Sequence, residues 1–211
     1  MSTNLPPAVI ERLSKLRSRE HEHLEVGLAI AKAGEGGMYS AHSLAIAAIQ
    51  RSLALIDGFT LMVEQRNVLC AAPLVRMQID SVMRLYACQL VDDLNVIFTH
   101  LLEDKPLHKL KSRDGNDLRD AYLIKQLGKG YPWMESAYEG TSGFIHLSVR
   151  HFNAIWDTFH DETRTVSIAI GRSYGERWKE AEMLEAIDAF GETTTILLEM
   201  CRALARISVG P

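Results

Sequence analysis

The sequence predicts an all-α fold, an antiparallel bundle of long helices forming a single domain over residues 1–211, and three observations carry the prediction. Apolar residues recur at helical spacing through most of the 211 residues. Gly34, Gly36, Gly37, Pro73, Gly128, Gly130 and Pro132 stand between the periodic stretches. The first three stretches are joined by links too short to cross over, so their helices must pack antiparallel.

Taken in order, Pro6 and Pro7 open a first helix that runs to about Lys32. Proline suits a first turn, where its missing N–H would have no partner. Val9, Leu13, Leu16, Leu24, Leu28 and Ala31 form its expected apolar stripe, and the three glycines end it. Ser40 is placed to cap a second helix, rich in Ala, Leu and Ile, to about Asn67. Ala72 to Glu103 is expected as one long helix, with Pro73 in its first turn. Asp104 to Asp117 breaks the pattern as a loop, with Pro106, Gly115 and a basic run (Lys105, His108, Lys109, Lys111, Arg113), and is the candidate mobile element. A short amphipathic helix spans about Leu118 to Leu127, and Pro132 starts another through about Arg150. Within Ile155 to Arg172, Thr165 to Ile170 is β-compatible and Asp161-Glu162-Thr163 is turn-like, which predicts a small hairpin. Glu176 to Ile207 closes the chain as a long helix, with Leu184, Ile187, Phe190, Ile196, Leu197, Met200, Leu204 and Ile207 on its core face.

Composition is that of an ordinary globular protein, 47% apolar and 24% charged. A net charge of −4 gives no general pull toward nucleic acid or an anionic membrane. Cys70, Cys88 and Cys201 are odd in number, widely spaced and set among apolar neighbours, as buried free thiols are, which favours a reducing cytoplasm. Met1 to Pro7 has no signal-peptide character. Arg51, Asp57 and Arg84 interrupt the apolar stretches too often for a membrane span.

The most specific feature is a charged ladder. Arg76 and Asp80 share a helical sector with Ala87, Val91, Leu94 and Phe98, and Arg84 follows at the sector's edge. An inward arginine keeps its charge and needs a partner, and Asp80 one turn on is the expected one. The ladder is either an ion network that locks helix register or a polar site, and the structural reading has the larger prior.

A second ladder is Tyr138, Ser142 and His146, expected to stack at four-residue spacing on one helix, with Ile145 and Val149 beside them facing inward. Gly140 and Gly143 in that helix suggest close approach of another backbone or a ligand. His146 has the setting of a general base, with Ser142 or a water to activate, although a helix-packing histidine is the commoner case. The two ladders could satisfy each other. Glu20-His21-Glu22-His23 holds a single Glu-x-x-His and is taken as a solvated face, so no metal is expected. Cofactor fingerprints and zinc spacings are absent, and no cofactor is expected.

Pro73-Leu74-Val75-Arg76 through Asp80 and Arg84-Leu85-Tyr86, followed by Tyr138-x-x-x-Ser142-x-x-x-His146, resembles the DUF5677-like families of uncharacterised bacterial helical proteins. The resemblance covers roughly Ser40 to Arg206 by order of elements. It implies a helical bundle with Arg76, Asp80, Tyr138, Ser142 and His146 in a shared polar centre. A more distant likeness is to HEPN-type bundles, many of them ribonucleases of toxin and defence systems. Their mark, an arginine upstream of a histidine on one helix, is missing at His146, and Arg150 follows it instead.

Two functions are compatible with these residues. One is a non-catalytic interaction module of a bacterial toxin or defence type, its polar centre sealed and structural. The other is a hydrolase acting on a phosphodiester, with His146 as base and Arg76 or Arg84 stabilising negative charge, in a centre open to solvent. The compatible partners are a second copy of the chain or another protein. Nucleic acid could be reached only through the Lys105–Arg113 loop, and no membrane is involved.

Overall fold

The computed structural model describes residues 5–34, 37–168 and 170–206. It is a helical bundle with one two-stranded antiparallel hairpin. Its frame is α1 (Pro7–Arg17), α2 (Glu20–Ala33), α3 (Ser40–Glu64), α4 (Val68–Leu90) and α9 (Glu180–Ala205). Between α4 and α9 the chain makes α5 (Asn95–Leu102), α6 (Asp120–Gly128), α7 (Pro132–Ser142), α8 (Val149–Ile155), β1 (Trp156–His160) and β2 (Thr165–Ile168).

The first expected helix is two, interrupted at Ser18–Arg19, where the Ser18 hydroxyl turns back to the Lys15 carbonyl at 2.8 Å. Val9, Leu13 and Leu16 are buried as expected, but Leu24 and Leu28 are exposed and His23, Val26 and Ile30 are buried instead. Val9, Leu16, His23 and Ile30 repeat every seven residues, so the seam follows a heptad and leaves the two leucines outside it. Ser40 is the first residue of α3, not its cap.

The turn into α4 carries Arg66 in the left-handed region, and the Asn67 side chain accepts from the Cys70 N–H at 3.2 Å. That cap starts α4 four residues before the expected Ala72, so Pro73 falls in the second turn, where it removes the bond Leu69's carbonyl would accept. Cys70 is exposed at this end, unlike Cys88 and Cys201.

The expected Ala72–Glu103 helix also breaks. Val91 is extended, and the loop returns to close the C-terminus of α4. Arg113 donates from its backbone N–H to the Leu90 carbonyl at 2.8 Å, and from its guanidinium to the Gln89 and Val91 carbonyls at 3.0 and 2.8 Å. A cation on orphan carbonyls stabilises a helix end both as a cap and against the dipole. Buried Leu107 and Leu118 anchor the loop on either side.

Paired residues give the helix directions. Arg51 meets Asp80 while Gly58 lies against Leu74, so α3 and α4 are antiparallel. Ala45 meets Cys201 while Phe59 stacks on Phe190 at 4.5 Å, so α3 and α9 are antiparallel too. α9 therefore runs parallel to α4, an arrangement the long connection from Val91 to Lys179 permits. On α9, Ile187, Phe190, Ile196, Leu197, Met200 and Leu204 are buried and Leu184 partly so, while Ile207 lies outside the described residues. Among the described residues, α3 is the helix long and apolar enough to cross a membrane, and it packs here as the bundle's central member against α2, α4 and α9. α6 and α7 pack on each other and on the flank of α4.

The expected hairpin forms, with Phe159 opposite Val166 and His160 opposite Thr165. The helix expected from Pro132 to Arg150 stops at Ser142. Gly143 caps it, the Phe144 and Ile145 N–H groups tighten onto the Thr141 and Ser142 carbonyls, and Ser148 opens α8 as a reciprocal cap with His151.

Candidate functional site

Four-residue steps along α4 put Arg76, Asp80 and Arg84 on one face, as the sequence predicts. The partners differ from expectation. Asp80 accepts from Arg84 at 2.6 Å and from Arg51 of α3 at 3.2 Å. Arg76 turns the other way and meets Asp120, the first residue of α6, at 3.4 Å. Arg84 reaches Asp120 as well, at 2.8 Å. The result is an alternating chain, Arg51–Asp80–Arg84–Asp120–Arg76, that spans three helices. Burial alone disfavours charge on Arg84, but the carboxylates of Asp80 and Asp120 more than offset it, and its pKa rises above the ordinary guanidinium value.

The second ladder is only partly assembled. Tyr138 and Ser142 lie on α7, and the Arg76 guanidinium sits over the Tyr138 ring, 3.8 Å from its centre. The expected link between the ladders is thus a cation–π stack rather than a hydrogen bond. Ser142 donates to the Tyr138 carbonyl at 2.6 Å, a local back-bond within the helix. His146 lies past the end of α7 and is exposed, as are Ile145 and Val149, because the turn at Gly143 redirects the chain. At Gly140 nothing approaches where a Cβ would stand, and at Gly143 the near neighbour is the Arg150 side chain, not another backbone.

One edge of the ion network opens into a cleft of about 530 Å³. Arg84, Lys105, His108, Arg119 and Asp120 line it, together with apolar residues that include Leu107 and Leu118. Little else of the basic loop faces it. Lys111 is held by Asp117, and Arg113 by Asp92 and the end of α4. The network is therefore not sealed.

A second polar cluster is sealed. His23, Ser52, Gln78 and Thr194, one from each of α2, α3, α4 and α9, are fully buried at the bundle centre. His23 Nδ1 lies 2.8 Å from the Arg19 carbonyl, which can only accept, so Nδ1 carries the proton. Nε2 then accepts from the Ser52 hydroxyl at 3.0 Å. Gln78 Nε2 donates to both Ser52 and Thr194, at 2.7 and 3.0 Å. This layer overturns the solvated reading for His23, its core member, while Glu20 and His21 are exposed as expected.

Arg51, Arg119 and Asp120 are the site residues that sequence reasoning missed. Arg51 carried a signal, being a charge within a strongly apolar helix. Asp120 carried none, since nothing local to it indicates a partner 36 residues away. No family model matches the chain, and no curated protein or solved structure matches it.

Proposed function

We propose that the protein is a non-catalytic interaction module, of the type used in bacterial toxin and defence systems, that grips an anionic group of its partner in the cleft beside α6. One observation carries the proposal: Arg84, Arg119, Lys105 and His108 line one open volume in which, among the described residues, the lining carboxylate is Asp120, held by Arg84 and Arg76, while Lys105 and Arg119 are paired at its rim with Glu103 and Asp117. A bound anion would meet Arg84 beside the N-terminal turn of α6 and would compete with Glu103 and Asp117 for the exposed Lys105 and Arg119. The openness of the cleft also suits the hydrolase alternative, but His146, Ser142 and Tyr138 are not among the residues that line it.

The test is anisotropy of a labelled single-stranded RNA, as a polyphosphate probe, titrated with the wild type and with Lys105→Ala/Arg119→Ala. The double variant should bind more weakly, and its slope of log affinity against log salt should fall by about 1.4, or about 0.7 per lost phosphate contact. Equal affinity and slope would remove the cleft as the anion site. The same RNA should remain intact with both the wild type and His146→Ala; cleavage by the wild type alone would establish the hydrolase.

A further inference from the structure

Among the described residues, the cations around the cleft outnumber the carboxylates that hold them. Arg51, Arg76 and Arg84 share Asp80 and Asp120, three guanidiniums to two carboxylates. Lys111 and Arg119 share Asp117, two cations to one carboxylate. Lys105 is matched by Glu103. The first two groups each carry one surplus positive charge, in a chain whose net charge is −4. They adjoin at Arg119 and Asp120, consecutive residues that both line the cleft. The Lys105 and Arg119 side chains are more than half exposed, and ion pairs so placed contribute little in water, so an incoming carboxylate can exchange like for like.

Much of the remaining lining is aliphatic. Leu101 and Pro106 are exposed, Leu101 at 41%, while Leu107 and Leu118 are buried. Leu101 lies one turn after the fully buried Ile97, so the face of α5 that enters the core at Ile97 emerges into the cleft at Leu101. Single-stranded nucleic acid is held by aromatic rings that stack on its bases as well as by cations. Among the described residues that line this cleft the His108 imidazole is the one ring, with no Phe, Tyr or Trp. Aliphatic surface beside cations matches a peptide in which branched aliphatic side chains stand next to carboxylates. The volume of about 530 Å³ falls within the roughly 300–1,000 Å³ of ligand-holding clefts.

Given a cleft that grips an anion, as read above, we propose that the anion is a pair of carboxylates on an acidic peptide segment of a partner protein, and that a leucine-like side chain beside them packs on Leu101 and Pro106. The carboxylates displace Glu103 from Lys105 and Asp117 from Arg119, and Asp117 keeps Lys111 as its partner.

Fluorescence anisotropy on the full chain tests this with three labelled probes: a blocked peptide alternating glutamate with leucine, the same peptide with alanine for leucine, and a single-stranded RNA of the same charge. The leucine peptide should bind on the order of tenfold more tightly than the alanine peptide, the ratio expected when about two methylene groups leave water. Leu101→Asn, a change at an exposed position, should abolish that difference and leave RNA affinity and helical circular dichroism unchanged. Lys105→Ala/Arg119→Ala should weaken both peptides. Equal affinity for the two peptides, each weakened by Lys105→Ala/Arg119→Ala, would overturn the proposal while the anion cleft stood. Peptide binding that ignores Lys105→Ala/Arg119→Ala would overturn both. A leucine peptide that fails to bind, a leucine preference that survives Leu101→Asn, or RNA bound more tightly than the leucine peptide would each overturn the proposal as well.

Discussion

His23 shows how one side chain can be both inward and polar with both ring nitrogens paired, while Gln78 Oε1 in the same layer is left without a partner. Burial pushes its pKa below the ordinary histidine value, against the smaller opposing effect of the Arg19 carbonyl. The unfolded chain then binds the proton more readily than the folded one, so stability is complete above the unfolded pKa of about 6.5 and is lost as pH falls below it. Protonation would also place a hydrogen on Nε2, where Ser52 already donates. The urea midpoint should therefore drop between pH 7.5 and 5.5 in the wild type, and drop less in His23→Gln, which keeps an acceptor but cannot titrate. Identical losses in the two proteins would show that His23 does not report on folding. The sequence held this residue in plain view, at seven-residue spacing from Leu16 and Ile30. Its acidic neighbours Glu20 and Glu22 disguised it as part of a solvated face. Arg76, Asp80 and Arg84 were readable because charge is rare on an inward sector. Their partners were not, because a wheel reports which way a side chain points and not what comes to meet it.

Helix existence was readable and helix ends were not, and the two failures share a cause. The predicted helices from Ala72 and from Pro132 both continue in periodicity past their true ends. α4 stops because Arg113, distant in sequence, returns to bond its last carbonyls. α7 stops because Ser148 bonds the Gly143 carbonyl and opens a new helix. Tertiary and capping contacts outweigh weak local propensity in both cases. Inside α7, Gly140 is a different matter. It is helical, it faces open space, and no left-handed angle requires it. Gly140→Ala should stabilise the protein by about 0.5–1 kcal/mol through reduced chain entropy in the unfolded state. At this chain length that is a rise of about 1–4 °C in Tm. A fall in Tm would mean that the site needs the missing side chain, as the expectation of a closely approaching ligand had it.

The molecule as a whole is a five-helix frame with a lateral pair, α6 and α7, fixed to its flank. The frame follows from amphipathic periodicity and short links, and so was foreseeable. The parallel placement of α9 beside α4 was not, since a connection of this length fixes no direction. Asp120 is the joint between the two parts. It alone accepts from two rungs of the α4 ladder, while Tyr138 offers its ring to Arg76 from α7. If this joint shapes the cleft, Arg84 and Asp120 must be energetically coupled. A double-mutant cycle on unfolding free energy, with Arg84→Met, Asp120→Ala and the pair, measures that coupling most directly. Asp120 is partly exposed, so solvent screens the contact, and the expected coupling is about 1 kcal/mol, within the range for members of one ion network. A coupling below about 0.3 kcal/mol would mean that the two residues contribute independently and that the lateral helices are held by apolar packing alone.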